Sequence, residues 1–208
     1  GRPSRGDRPM NLVDAGLFAQ LCLAAAAILL AVFAPVGHRN LAAGIGVAAL
    51  GVVGAATGVT ALLGVQGAGL RVPLALPGFD AIDSLTLAPD RLGGFFLAIV
   101  GVVVAVAAVF GIGYAHGPVA SRTGWTAFAA FALGMQLVPS AGDALTFLLA
   151  WELMAGGSTV LLLADHAARE PVRRATLWYA VMTHLSFLLL VAGFGVLIAA
   201  SGGTTWSR

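Results

Sequence analysis

Two side chains in this 208-residue chain stand out for chemistry, Glu152 and His184, because each interrupts a long apolar run. Glu152 lies in Phe147-Leu148-Leu149-Ala150-Trp151-Glu152-Leu153-Met154 and His184 in Tyr179-Ala180-Val181-Met182-Thr183-His184-Leu185. At a helical rise of about 1.5 Å per residue, Glu152 falls about 14 Å from Asp143 and about 18 Å from Ala164. His184 falls about 15 Å from Arg174. The short polar segment 165–173 makes the two runs an antiparallel pair, so both groups sit at nearly the same depth. A carboxylate that deep in hydrocarbon costs several kcal/mol if ionised, so Glu152 must be protonated or paired. A carboxylic acid and an imidazole at matched depth could form a proton relay, since both can change charge near neutral pH when perturbed by their surroundings. The plainer alternatives are a neutral Glu152 acting as hydrogen-bonding glue, and a His184 satisfied by a backbone carbonyl or by Tyr179. The face of Glu152 continues through Gly156 and Thr159, at i+4 and i+7, and is expected to point into a helix bundle.

Weaker constellations surround this pair. Asp165, His166 and Glu170 lie in a dense mixed-charge segment, Asp165 to Arg174, which reads either as a solvated loop or as a cytoplasmic mouth that gathers protons. Asp165 and His166 are metal-ligand types, but no third ligand stands at a suitable spacing, so no metal is expected. Asp143 has the type and position of a helix cap. Ser158 and His184 raise the idea of an intramembrane Ser–His pair. The rhomboid pattern would want Gly after the serine, whereas Thr159 follows here and Ser158 is mid-run, so that reading is set aside. Gly44-Ile45-Gly46-Val47-Ala48-Ala49 mimics a dinucleotide fingerprint but follows no strand, and reads as helix packing. Gly54 and Gly58 form a G-x-x-x-G pair suited to close helix contact. Cys22 is the single cysteine, and no haem or iron–sulfur motif is present, so no cofactor is expected.

The elements that would hold these groups follow from composition. Hydrophobic residues make up 59% of the chain and charged residues 10%, with a mean hydropathy of +0.95. Soluble domains carry about 25% charge, so the solvent of this chain is lipid. The sequence predicts an all-α transmembrane helix bundle with about six spans, at roughly 14–35, 41–64, 92–114, 125–139, 143–164 and 174–200. Residues 1–13 and 201–208 read as tails, with Met10 as the natural start and the polar residues before it as a tag or upstream translation. Residues 65–91 are polar, and Leu70–Leu76 and Ile82–Leu87 partly alternate around Pro77-Gly78, which predicts a small β-hairpin outside the membrane. The positive charge comes from arginine alone and sits in short loops, which argues for membrane orientation and not for nucleic acid. Five arginines (39, 122, 169, 173, 174) fall on one side and three (71, 91, 208) on the other. With Met10 as the start, the positive-inside rule places the N-terminus and the hairpin outside a plasma membrane. Counting Arg2, Arg5 and Arg8 reverses that balance, six against five.

Three stretches of the chain resemble the proton-channel (antiporter-like) subunits shared by respiratory complex I, Mrp-type antiporters and membrane-bound nickel–iron hydrogenases. They are Leu85 to Phe96, Asp143 to Leu163 with its Trp151-Glu152-Leu153-Met154 core, and Trp178 to Leu185. The last is most similar to the hydrogenase 4 component B branch. The resemblance runs from Met10 over nearly the whole chain. It implies a proton-translocating subunit of a hydrogenase- or NADH-quinone oxidoreductase-like complex. Its key glutamate maps onto Glu152, it starts outside the membrane, and it carries no redox site of its own. It implies other membrane subunits as partners, and protons or sodium as the ion moved. Members also carry a broken helix with a functional lysine, and this chain has no Lys. The resemblance therefore implies an N-terminal portion of such a subunit. Two rival readings remain: a structural or assembly protein without transport activity, and an antiporter subunit.

The arginine asymmetry yields a topology test. In a variant lacking Cys22, cysteines placed at Gly78 and Ala168 should label from opposite sides of the membrane, Gly78 from outside. Labelling of Ala168 alone by an impermeant external reagent would reverse the orientation.

Overall fold

Polar residues at the breaks between apolar runs set where each helix starts. Asn11 accepts hydrogen bonds from the amides of Val13 and Asp14 at 3.0 Å, and opens α1, Leu12–Phe33. Pro35 has the backbone angle of a helix entrance and no N–H to lose; α2, Val36–Leu62, starts directly after it. Asp90 caps α3, Arg91–Tyr114, through the Gly93 amide at 2.7 Å. Ser121 caps α4, Arg122–Leu137, through the Gly124 amide at 3.0 Å. Asp143 caps α5, Ala144–Leu163, through the Thr146 amide at 2.7 Å, as its type and position predict. The last helix, α6, is Glu170–Ser201, with Pro171 in its first turn. This computed structural model describes residues 11–65, 67–73, 84–164, 170–201 and 203, and for Glu170 and Ser201 the backbone only.

The chain is an all-α membrane bundle. Among the described residues, α1, α2, α3, α5 and residues 171–200 of α6 are long and apolar enough to cross a membrane. Helix α4 has 16 residues and continues into a 3-10 turn, Val138–Ser140. The outward faces are apolar: Leu29, Val52, Phe95, Ile99, Val102, Val106 and Phe110 are all exposed. A surface of that kind belongs in lipid, where helices satisfy their own backbone groups. The two strands, β1 (Leu70–Pro73) and β2 (Ser84–Leu87), pair antiparallel with Leu70 opposite Leu87 and Pro73 opposite Ser84. The expected turn at Pro77-Gly78 lies outside the described residues. The hairpin is tied to the bundle. The Thr86 amide donates to Thr146 Oγ1 at 2.8 Å, the Gly142 amide to the Thr86 carbonyl at 2.7 Å, and the Ala88 amide to the Ser140 carbonyl at 2.8 Å. On the α1 side, Asp14 Oδ2 accepts from the Ala68 amide at 3.0 Å.

Several boundaries differ from those expected. Helix α2 begins at Val36 instead of 41, because Pro35 starts a helix as readily as it ends one. Arg39 is therefore not a loop residue: it lies in the first turn of α2, 6% exposed, with Nη2 donating to the Ala34 carbonyl at 3.4 Å. Helices α4 and α6 likewise start early, so Arg122, Arg173 and Arg174 are helical.

The interior is packed by small residues. In lipid no hydrophobic force drives helices together, so close van der Waals contact must do it. Between α2 and α3, a Cβ at Gly51 would meet the Ala105 amide nitrogen at 2.5 Å and the Gly101 carbonyl oxygen at 2.6 Å. A Cβ at Gly94 would meet the Leu62 nitrogen at 2.7 Å and the Gly58 oxygen at 2.8 Å. Two pairs seven residues apart, Gly51 with Gly58 and Gly94 with Gly101, thus bring the backbones into contact. Gly54 departs from the expected pair with Gly58. It faces away from α3, and the place of its absent Cβ is taken by the Gln136 side-chain amide on α4. Gly58→Val should destabilise the fold by about 1–3 kcal/mol through overpacking. Gly113→Val, on α3 with nothing within 4 Å, should leave the thermal midpoint in detergent nearly unchanged. Equal midpoints for the two variants would show that the α2–α3 contact is not limiting.

Candidate functional site

Helices α5 and α6 meet along a short polar seam within apolar surroundings. At its centre, His184 Nε2 lies 3.2 Å from Glu152 Oε1. The matched depth expected from the spacing thus becomes a direct contact, with no water needed between the two groups. Toward the 164 end of α5, Ser158 Oγ and Tyr179 Oη are 2.8 Å apart. Toward the other end, Phe147 and Phe194 pack edge to face with centroids 5.5 Å apart.

The hydrogen bonds of His184 define what the pair can do. Its Nδ1 lies 2.8 Å from the Ala180 carbonyl oxygen, which can only accept. Nδ1 therefore carries a proton, and the chemistry falls to Nε2. With a neutral imidazole, Nε2 accepts from a protonated Glu152. With an imidazolium, Nε2 donates to the Glu152 carboxylate. A neutral imidazole facing an ionised carboxylate would set lone pair against lone pair. The bridge thus holds one proton in either favourable form, and the net charge of the pair is zero in both. That neutrality is what allows two titratable groups to sit within a span. Passing the proton from one to the other needs only its transfer along one hydrogen bond.

The setting of the pair departs from one expectation. Glu152 and His184 are 36% and 54% exposed, because α6 packs on α5 at the edge of the bundle. The face expected to point inward is open at Gly156, where an added Cβ would meet nothing within 4 Å. The alternative partner considered for His184, Tyr179, bonds Ser158 instead, and Ser158 Oγ also donates to the Ala155 carbonyl at 2.9 Å. Both of the hydroxyl's contacts are structural, in keeping with the dismissal of a Ser–His pair. Asp165 and His166 lie outside the described residues, as does the side chain of Glu170, so the proposed mouth has no described geometry. Among the described residues, no group of three His, Cys, Asp or Glu could hold a metal.

Two polar residues were missed by sequence reasoning. Gln20 on α1 and Gln136 on α4 are 1% and 0% exposed inside the bundle. Gln20 Nε2 donates to the Gly16 carbonyl at 3.3 Å. Gln20 Oε1, both amide atoms of Gln136 and Glu152 Oε2 are buried with no protein partner among the described residues. A buried polar atom without a partner costs about 1–3 kcal/mol, so such atoms mark places of interest. The signal that could have found them is an amide side chain in the middle of a predicted span, which costs free energy there as a carboxylate does, only less.

No protein-family model matches the chain. Two uncharacterized proteins, from two strains of Mycobacterium tuberculosis, are each 42% identical to it over 171 residues. The match takes in 81% of this chain and 25% of each relative, so the chain spans about a quarter of the length of the curated relatives it matches. Among solved structures, a chain of the membrane-bound sulfane sulfur reductase, an archaeal respiratory membrane complex, superposes with a TM-score of 0.68 at 23% identity. The match takes in 94% of this chain and 29% of that chain. At that identity the likeness is one of fold: the bundle described above is the arrangement of helices found in a part of that chain.

Proposed function

We propose that this chain forms a proton-translocating part of a membrane subunit in a respiratory or hydrogenase-type complex, with Glu152 and His184 as the proton-carrying pair. The observation that carries the reading is the 3.2 Å contact between Nε2 of His184 and Oε1 of Glu152 within the α5–α6 seam. A single proton shared across that contact can move without creating net charge in the membrane. The fold it shares with a chain of an archaeal respiratory membrane complex supports a place among other membrane subunits. So does the resemblance around Trp151-Glu152-Leu153-Met154 to the proton-channel subunits, including the hydrogenase 4 component B branch. In this reading redox chemistry in partner subunits drives the ion, protons or sodium, and the N-terminus lies outside the plasma membrane. Asp165, His166 and Glu170 would gather protons on the cytoplasmic side.

A second reading has its own observation. Glu152 with His184 and Ser158 with Tyr179 are polar ties between α5 and α6, and a purely structural bundle would use them as such. Substitution separates the two. In the complete protein, in native membrane vesicles, Glu152→Gln keeps a hydrogen-bonding side chain but cannot release a proton. It should assemble normally and lose about 100-fold or more in proton translocation, the range set by loss of an acid–base group. Glu152→Asp should retain part of the activity. Combining Glu152→Gln with His184→Ala should cost little more than either alone, as residues in direct contact are not additive. Normal pumping by Glu152→Gln would leave the pair as structural glue.

A further inference from the structure

Asp14, Arg39 and Thr126 also have a buried polar atom without a partner among the described residues, but the helix registers set those of Gln20, Gln136 and Glu152 at one level. Between α1 and α2, Gly16 faces Thr57 and Gly46 faces Ala27. This antiparallel register sets Gln20 at the level of Val53 and Gly54. Gly54 in turn holds the Gln136 amide against its backbone. Between α4 and α5, Gly134 faces Met154 and Gly157 faces Phe131. Two residues further along one helix and two back along the other, Gln136 and Glu152 are level. Thr57 adds a hydroxyl one turn away, aimed back at this level by its 2.7 Å bond to the Val53 carbonyl. The cluster also separates two apolar cores. One contains Ala24, Val47, Leu50 and Ala132, the other Val13, Leu17, Ala61 and Leu137.

We infer that Gln20, Gln136 and the inward oxygen of Glu152 form an internal water-binding site that crosses the bundle from α1 to α5. In this cluster the buried atoms without protein partners among the described residues are Gln20 Oε1, Gln136 Oε1, Gln136 Nε2 and Glu152 Oε2. This set contains an N–H donor as well as oxygen acceptors. Such a mixture suits a molecule that both donates and accepts, and buried waters make two to four such bonds. A bound cation would be repelled by the Gln136 N–H group. Gly54 is part of the device, since any Cβ there would displace the amide of Gln136. Where Glu152 carries protons, the site gives its second oxygen a hydrogen-bonded route into the bundle, on the side away from His184. The site itself does not depend on that role, and the pumping assay above and the measurement below can fail separately.

The chain has three glutamines, Gln20, Gln66 and Gln136, so selective labelling with side-chain 15N glutamine gives a small and assignable spectrum. In the full chain in nanodiscs, the side-chain amide protons of Gln20 and Gln136 should show magnetisation transfer from water despite their burial. Gln136→Leu should abolish the transfer at Gln20, and Gln20→Leu, the reciprocal variant, should reduce it at Gln136. If Gln136→Leu does not fold, Gln20→Leu and the unsubstituted chain carry the test. Absence of transfer at both residues in the unsubstituted chain would overturn the site. Transfer at the remaining glutamine that is unchanged in the variants would show that the two share no water. Glutamine amide shifts should be the same in sodium and in N-methylglucamine buffers. A sodium-dependent shift would replace water with a cation as the occupant.

Discussion

The contact of backbone on backbone between α2 and α3 is the constraint on which the rest of the bundle depends. Gly51, Gly58, Gly94 and Gly101 let the backbones of the two helices touch, and in lipid that dispersion contact replaces the hydrophobic force absent between apolar surfaces. The same device recurs with different partners. Gly46 meets Ala27 on α1, and on the α4–α5 interface Gly134 meets Met154 while Gly157 meets Phe131. Contacts this close tolerate no slip, so each fixes an antiparallel register. The registers together decide which residues of different helices share a depth.

Depth is where packing becomes chemistry. Polar groups are expensive within a span, and here Gln20, Gln136, Glu152 and His184 stand at one level. The Glu152–His184 bridge lowers its own cost by holding a single proton in a neutral unit. The Ala180 carbonyl supports this by fixing the tautomer of the imidazole. A second polar tie group lies at the opposite end of the bundle from the hairpin. There Trp125 Nε1 donates to Asn40 Oδ1 at 2.8 Å and Asn40 Nδ2 donates to the Ala115 carbonyl at 2.9 Å, joining α2, the end of α3 and α4. That group involves no titratable side chain and serves as architecture. The α5–α6 seam differs by containing an acid and a base, and by lying at the bundle edge, where Trp178, Leu185, Leu188 and Leu189 of α6 face outward.

The number of helices, their approximate ends and the hairpin were legible in the sequence, because apolar length and capping chemistry are local properties. Asp143 could be recognised as a cap from its position alone. Glu152 and His184 could be placed at one depth because helical rise is constant and the connection between their helices is short. Arg39 was misplaced since a proline between two apolar runs marks a break without saying how short it is. The facing of the glycines was not legible: with 28 of them in the chain, many stripes satisfy the same small-residue pattern. Gly54 illustrates this, serving Gln136 and not α3.

Distance along the membrane normal was therefore determined by sequence alone, as the sum of equal steps along each helix. Rotation about each helix axis, and the choice of neighbour, were decided only by the tertiary structure. These depend on which small residues can bring two backbones together without a clash, a property of pairs of surfaces that no single segment contains. Hence the carboxylate and imidazole could be named from the sequence. Their direct contact at the bundle edge, and the buried amides of Gln20 and Gln136 level with them, emerged only when the helices were packed.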